Sequence, residues 1–368
     1  MIKAGDIVKV VVAMSGGVDS SVAAALLKEK GYQVSGVIMK IWDGEALPEE
    51  KRHHGCYGPG EEEDIKDARI VAQTLGISFH IFDLSQEYRA EVLDYFCHEY
   101  QSGRTPNPCL RCNCRIKLGA LLKKTQDSGI QFDYFATGHY ARVEYDENKH
   151  RFLLKKAKDL SKDQSYFLAF LSQQQLGRLL LPIGDYTKEE IRKIASDFGL
   201  GIDTKPDSQD FVAGGYSSLL ESTPPGPILD KEGHVLGEHR GIPFYTIGQR
   251  KKLGISSREP LYVTMIDPKR NAIIVGSKEE TYRDEFITSG LNWIAIEELK
   301  QPTKAKVRIR YLHKEAEAIL TPVSETDVYV KFEEPQMAIT PGQAAVFYQG
   351  DMVLGGGTIK KIGDQQYG

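Results

Sequence analysis

Two strings in the first third of the chain have residue types and spacings suited to chemistry. Ser15-Gly16-Gly17-Val18-Asp19-Ser20-Ser21 directly follows an apolar run, Ile7 to Met14, broken only by Lys9. Glycines there let the backbone approach phosphate oxygens and tolerate positive φ. A helix beginning after them would offer N–H groups and a positive dipole end to an anion. Ser15 and Ser20 carry hydroxyl donors, and Asp19 is suited to help hold Mg²⁺. No Walker-type lysine follows, so this is not the ordinary nucleoside-triphosphatase loop. The second string is Cys109-Leu110-Arg111-Cys112-Asn113-Cys114. With Cys56 and Cys97 it accounts for every cysteine, and clustering of this kind suggests metal or sulfur chemistry in a reducing compartment rather than a disulfide framework.

The elements that must position these strings alternate strand and helix. The apolar run Ile7 to Met14 has the length and type of a buried parallel strand. A helix is expected from Ser20 to Lys30, a strand from Val34 to Ile41, and a mobile polar loop from Asp43 to Glu62. Helices follow at Asp64 to Leu75, Gln86 to Tyr100 and Asn113 to Lys124, with strands at Ser78 to Phe82 and Tyr134 to Thr137. This alternation predicts right-handed crossovers and a doubly wound parallel sheet. A helical segment is expected from Ser161 to about Phe198, with Thr187 and Glu190 at capping-box spacing. Beyond it the texture becomes short β-type runs and turns. The expected division is an α/β domain over 1–205, a small β-rich module over 206–285 and a C-terminal β-barrel over 286–368.

The 368 residues are enough for two or three domains, and 41% hydrophobic with 27% charged residues is an ordinary globular composition. A formal charge of -4 excludes a broadly basic nucleic-acid binder, so phosphate contacts must come from local patches. Arg250-Lys251-Lys252 and the run Lys304 to Arg310 are such patches, though runs of this kind are more often solvated faces. No apolar run approaches the roughly 20 residues of a membrane span. Met1 to Asp6 lacks a secretory pattern, so the expected location is cytoplasmic, without a membrane partner.

The glycine-rich loop resembles that of the PP-loop ATP pyrophosphatases, which cleave ATP between its α- and β-phosphates and leave an adenylated substrate. Further strings resemble the tRNA-specific 2-thiouridylases within that superfamily. They are Met39-Lys40, Gly103-Arg104-Thr105-Pro106-Asn107-Pro108, Cys112-Asn113, Thr137-Gly138-His139-Tyr140 and Lys162-Asp163-Gln164-Ser165-Tyr166-Phe167-Leu168. Thr246-Ile247-Gly248-Gln249-Arg250-Lys251, Thr340-Pro341-Gly342-Gln343 and Gly355-Gly356-Gly357 continue the series to the C-terminal end. The resemblance implies an adenine-nucleotide-binding parallel-sheet domain and sulfur transfer to C2 of the wobble uridine, position 34, in tRNAs for Lys, Glu and Gln. It implies that Ala13, Met14, Ser15, Gly16, Gly17, Val18, Asp19, Ser20 and Met39 hold ATP with Mg²⁺, with Gly138 close by. Asn107, Pro108 and Cys109 would surround the target base. His139, Lys162, Asp163, Gln164, Arg310, Tyr311 and Gln343 match positions that touch tRNA, and Cys112 is the catalytic cysteine, with Cys109 beside it.

The chain departs from the family pattern at two places. Cys109 replaces the aspartate usual in the base-binding loop, and Val212 stands where the second, persulfide-bearing cysteine is expected. The usual two-cysteine relay therefore cannot operate as it does in those relatives. One explanation is a [4Fe-4S] cluster on Cys109 and Cys112, with Cys56 or Cys114 as third ligand, carrying exogenous sulfide. Another is a thiol relay in which Cys112, at a helix N-terminus, is a low-pKa nucleophile fed by a persulfide donor, with Cys109 or Cys114 as its partner. A structural zinc site is a third. His53, His54 and Cys56 resemble a ligand set, and Cys97 reads as a core residue. Two other functions remain open at this point: a non-catalytic tRNA-binding relative, and a PP-loop enzyme thiolating another RNA position.

Overall fold

The computed structural model describes residues 7–44, 55–206, 210–213, 215–220 and 223–362. The chain divides into two compact units. The first takes in the chain up to Val92, Cys109–Tyr216 and Asp351–Val353; the second takes in Leu93–Pro108, Ser217–Gly350 and the chain from Leu354 on.

The first unit opens with β1 (Lys9–Ala13), α1 (Val18–Glu29) and β2 (Gln33–Lys40), followed by β3 (Gly55–Tyr57), α2 (Glu61–Leu75) and β4 (Ser78–Asp83). Helix α3 (Ser85–Tyr88) leads into a π-helical turn at Arg89–Leu93, and the following α4 (Asp94–Gln101) belongs to the second unit. Next come α5 (Pro108–Arg111), a π-helical turn at Cys112–Ala120, α6 (Leu121–Asp127), β5 (Tyr134–Thr137) and the hairpin β6 (Ala141–Asp146) and β7 (Arg151–Lys156). Helices α7 (Ser165–Leu168) and α8 (Gln173–Leu176), strand β8 (Leu179–Leu180), α9 (Lys188–Asp197) and β9 (Asp210–Val212) complete it.

Strands β4-β2-β1-β5-β8 form one sheet, parallel throughout, as the alternating pattern predicts. Val10, Val11 and Val12 of the central strand are at most 1% exposed, which explains why β1 after Lys9 reads as consecutive apolar residues instead of an alternating pattern. Each such buried valine contributes on the order of 1.5–3 kcal/mol. Helix α1 buries nine residues, among them Ala23, Ala24 and Ala25, whose small side chains let it lie close to the sheet.

Two expectations are corrected here. The segment Ser161 to Phe198 is not one helical run: Gly177 and Pro182 interrupt it, and Leu179–Leu180 is a strand that extends the sheet beside β5. Of the supposed loop Asp43 to Glu62, Gly55–Tyr57 is a strand and Glu61 already begins α2, while His53 and His54 lie outside the described residues. The capping box at Thr187 and Glu190 is present.

In the second unit, β10 (Gly226–Leu229), β11 (Val235–His239), β12 (Tyr262–Asp267) and β13 (Ala272–Gly276) make a four-stranded sheet in the order β11-β10-β13-β12. Its core includes Ile228, Ile242, Val263, Ile273 and Val275. Six further strands follow: β14 (Tyr282–Trp293), β15 (Thr303–Arg308), β16 (Ala316–Pro322), β17 (Asp327–Met337), β18 (Ala344–Gln349) and β19 (Met352–Ile362). They pair in the order β14-β17-β16-β15-β18-β19, and β14 pairs with β19, closing a barrel and removing its free edges. Among the described residues no helix is long and apolar enough to cross a membrane.

Candidate active site

The sheet order reverses direction between β1 and β5, and the open crevice of such a sheet lies beyond the C-terminal ends of its strands at that point. The phosphate loop leaves β1 there, and Gly138-His139 leaves β5, with Ala13 paired to Thr137. Gly16 has φ +71, and a Cβ on it would collide with the carbonyl oxygen of Asp64 on α2. Gly17 is the N-cap of α1 in extended conformation, and no side chain caps the helix. The Ser20 Oγ accepts from the Ser15 amide at 3.0 Å and lies 3.2 Å from the Ser15 Oγ, closing the loop on itself. Met39 lies one residue from the end of β2, opposite Phe82.

Asp19 is already engaged. Tyr140 donates its hydroxyl to Oδ1 at 2.7 Å, and Lys188 places Nζ 2.8 and 2.9 Å from the two carboxylate oxygens. Lys205 bridges Asp64 at 2.8 Å and Asp67 at 2.5 Å, anchoring the helix on which Gly16 rests. Neither lysine is marked by any string in the sequence.

The sulfur-bearing site grows from α5. Because that helix starts at Pro108, Cys112 is an interior helical residue and not the N-terminal one expected. Burial pushes its thiol up to about 11, with Lys117 opposing and Cys56 adding to the rise. The Cys109 thiol is pushed up to about 12 by burial and then by Cys56 and Cys112. Burial and an interior helical position thus both work against a lowered thiol pKa at Cys112 in the free protein. Tyr88, stacked on Tyr57 at 5.8 Å, has its hydroxyl raised well above the usual range, first by burial and then by Cys112, Cys56 and Cys109. Cys56, Cys109 and Cys112 thus lie near one tyrosine. Cys114 sits in a different setting, beside Arg115 and Arg111, with its thiol donating to the Arg111 carbonyl.

Val212 is buried at 1% exposure and stands opposite Tyr57 in the β3–β9 pairing. The neighbour of Tyr57 is Cys56, so β3 brings a thiol beside the strand on which the second family cysteine is expected. Asp207, Ser208 and Gln209 lie outside the described residues. Among the described residues, no three cysteines bring their sulfurs within 4.8 Å of one another, the closeness a single zinc ion would impose.

Lys117, in the π-helical turn, is the cation common to Cys109, Cys112 and His139. Sequence reasoning missed it; a helix interrupted beside a cysteine triplet gives no signal until the π turn is visible. Burial, then Lys117, holds the His139 imidazole well below its usual range, and its Nδ1 lies 2.8 Å from the Thr137 Oγ1. Asn113 is 3% exposed and donates to the Phe167 carbonyl at 3.1 Å, while its buried Oδ1 has no partner among the described residues.

The expected tRNA contacts divide by setting. Asp163 is buried and accepts from Ala157 N, Ser165 N and Ser165 Oγ, so it shapes the loop before α7. Gln164 accepts from the Tyr140 amide at 2.9 Å, and Lys162 is half-buried. In the second unit, Gln343 donates to the carbonyls of Thr105 at 2.8 Å and Pro106 at 3.2 Å, holding the segment that leads to Asn107. Arg310 donates to the Met337 carbonyl, and Arg310-Tyr311 lie in the turn after β15. Cys97, half-buried, donates to the Leu219 carbonyl.

Comparison with known proteins agrees with this architecture. Residues 8–213 match the family described as tRNA methyl transferase HUP domain, 217–277 the tRNA methyl transferase PRC-barrel domain, and 283–359 the aminomethyltransferase beta-barrel domain. The tRNA-specific 2-thiouridylase MnmA of Moorella thermoacetica is 49% identical over 359 residues, covering 95% of this chain and 99% of that protein. Its namesake from Halothermothrix orenii is 48% identical over 363 residues, covering 96% and 99%. That from Symbiobacterium thermophilum is 47% identical over 365 residues, covering 96% and 92%. The chain belongs to the tRNA-specific 2-thiouridylase family.

Proposed function

We propose that this chain is an ATP-dependent sulfurtransferase that thiolates C2 of the wobble uridine, position 34, of tRNAs for Lys, Glu and Gln. The observation that carries the reading is the presence, in one compact unit, of a glycine-built phosphate loop at the sheet's switch point and a three-cysteine set around Tyr88. A tRNA substrate and a cysteine usage suited to a reducing compartment support a cytoplasmic location.

Uridine O2 is a poor leaving group. Attack of that oxygen on the α-phosphorus forms an O–P bond, expels pyrophosphate with its electron pair, and releases the N3 proton to solvent. A sulfur nucleophile then adds at C2, and AMP departs with the C–O electrons. Ala13 to Ser20 and Met39 would seat the nucleotide, and Asp19, which Tyr140 and Lys188 hold in the free chain, would be the loop's carboxylate for Mg²⁺. Asn107, Pro108 and Cys109 would hold the base out of its stack. His139, neutral at pH 7, would meet the tRNA as a hydrogen-bonding group instead of a cation. Lys162, Arg310 and Tyr311 would supply further contacts.

Sulfur delivery rests on Cys112 with Cys109 and Cys56. These three thiolates would hold a [4Fe-4S] cluster, which would supply a binding place for exogenous sulfide. Without a cluster, a persulfide donor would load Cys112; its outer sulfur would bond C2, the thiolate of Cys109 or Cys114 would then attack the Cys112 sulfur and release the 2-thiouridine, and an external thiol would reduce the disulfide left behind. Anaerobic purification with iron and acid-labile sulfide analysis, beside Cys109→Ala and Cys112→Ala, separates the two routes. About four irons in the parent, lost in the variants, establishes the cluster. Iron-free protein that thiolates tRNA with a persulfide donor contradicts it.

A further inference from the structure

We propose that Asp43 is a positioning residue that clasps the thiol-bearing elements to the strand end carrying Met39, so that sulfur meets the adenylated uridine in register. Asp43 follows β2 and lies outside any strand or helix. Its Oδ1 accepts from the Tyr57 hydroxyl at 2.7 Å, and its Oδ2 accepts from Arg89 Nε at 3.1 Å and Nη2 at 2.6 Å. Tyr57 belongs to β3, directly after Cys56, and Arg89 opens the π-helical turn, directly after Tyr88. Both partners therefore sit one position from the groups gathered at the sulfur site. Tyr57 is 1% exposed and stacks on Tyr88, the tyrosine near Cys56, Cys109 and Cys112.

The chain between Met39 and Asp43 is fixed by a separate set of contacts. The Glu61 carboxylate, 6% exposed at the start of α2, accepts from the Ile41 amide at 2.6 Å and the Trp42 amide at 3.1 Å. The Lys40 carbonyl accepts from the Leu84 amide at 2.7 Å. Asp43 lies four residues after Met39, a reach of at most about 14 Å. With its amides held, this short span transmits position instead of absorbing it. At its far end the charge-assisted bonds from Arg89 and the buried phenol of Tyr57 engage both carboxylate oxygens. Breaking that clasp lets β3 and the π-helical turn shift against the nucleotide, while Glu61 keeps Met39 in place. A shift of an ångström at a sulfur nucleophile is enough to slow its attack strongly.

This inference rests on reading the chain as an ATP-dependent tRNA-thiolating enzyme, and its test keeps the two apart. Pyrophosphate released when the full chain meets ATP, Mg²⁺ and unmodified tRNA, with the sulfur source withheld, measures adenylation. Thionucleoside formed once the sulfur source is added measures transfer. Tyr57→Phe keeps the ring stack and removes only the hydroxyl. Asp43→Asn keeps an acceptor for Tyr57 and removes the charge facing Arg89, and it stands in if the phenylalanine variant fails to fold. Both are expected to leave pyrophosphate release within about threefold of the parent and to slow thionucleoside formation at least about tenfold. Equal loss of the two rates, as a general loss of structure would give, or an unchanged rate of thionucleoside formation overturns the role of Asp43 while the ATP reading stands. A parent chain that releases no pyrophosphate with tRNA overturns both readings.

Discussion

A methyl group on Gly138 would lie 2.5 Å from the backbone nitrogen of Ser20, so the end of β5 and the first turn of α1 touch at backbone level. That contact fixes the width of the crevice in which ATP must sit. Gly138→Ala must push strand and helix apart, at about 1–3 kcal/mol of stability. Displacing phosphate-binding groups by an ångström is expected to lower tRNA-stimulated AMP formation by about 100-fold. Rates of AMP release alongside thermal unfolding check this; a stable variant with parental rate contradicts it.

The cysteines should separate by setting. Cys56, Cys109 and Cys112 share Tyr88 as neighbour, whereas Cys114 lies with Arg111 and Arg115. Serine at any of the first three is expected to reduce 2-thiouridine formation at least ~100-fold, while Cys114→Ser stays within about threefold. Quantifying the thionucleoside in digested tRNA from each variant measures it. A Cys56→Ser variant with full activity would remove Cys56 from the sulfur path.

In the metal-free chain, Cys112 should titrate near pH 11. A thiol raised on folding holds its proton more tightly in the native state. Its stabilisation is fully present below the unfolded pKa of about 9 and is lost as pH rises towards 11. Urea midpoints from pH 8 to about 11 should fall more steeply for the parent than for Cys112→Ala. Parallel curves contradict the burial assigned to this thiol.

His139 behaves in the opposite sense. Its imidazole is held below 6.5, so the unfolded chain takes up the proton first as pH falls. The stabilisation is present above pH 6.5 and is lost below it. A His139→Gln variant should lose less stability than the parent between pH 6.5 and about 5, read by the same unfolding titration.

What was legible in the sequence was local or periodic. The strand before Ser15, the glycines of the loop, the parallel sheet and the Thr187 cap all follow from residues close together in the chain. Lys188 was invisible because its partner, Asp19, lies far away in sequence, and a Lys-Glu-Glu opening reads only as a helix start. Cys56 came to the site through the pairing of two three-residue strands, too short to show a period. Asp163 reads as a charge beside Lys162, yet it is buried, because three donors from Ala157 and Ser165 surround it. The supposed helix from Ser161 failed because Leu179 and Leu180 pair with β5, a tertiary contact that overrides local propensity.

Gln343 should act on tRNA through the segment it holds. Losing its two hydrogen bonds to Thr105 and Pro106 is expected to raise KM for tRNA about tenfold in Gln343→Ala, with ATP affinity unchanged. Steady-state kinetics with each substrate varied in turn decides it; a loss confined to ATP contradicts the assignment.

The most direct test of the central claim is a single-turnover reaction with ATP labelled at the α-phosphate, unmodified tRNA and a sulfur source. AMP and 2-thiouridine at position 34 would be counted in the same sample. One AMP for each 2-thiouridine, with neither formed when tRNA is omitted, is the predicted result. ADP as the nucleotide product, or AMP formed without any thionucleoside, would contradict the account.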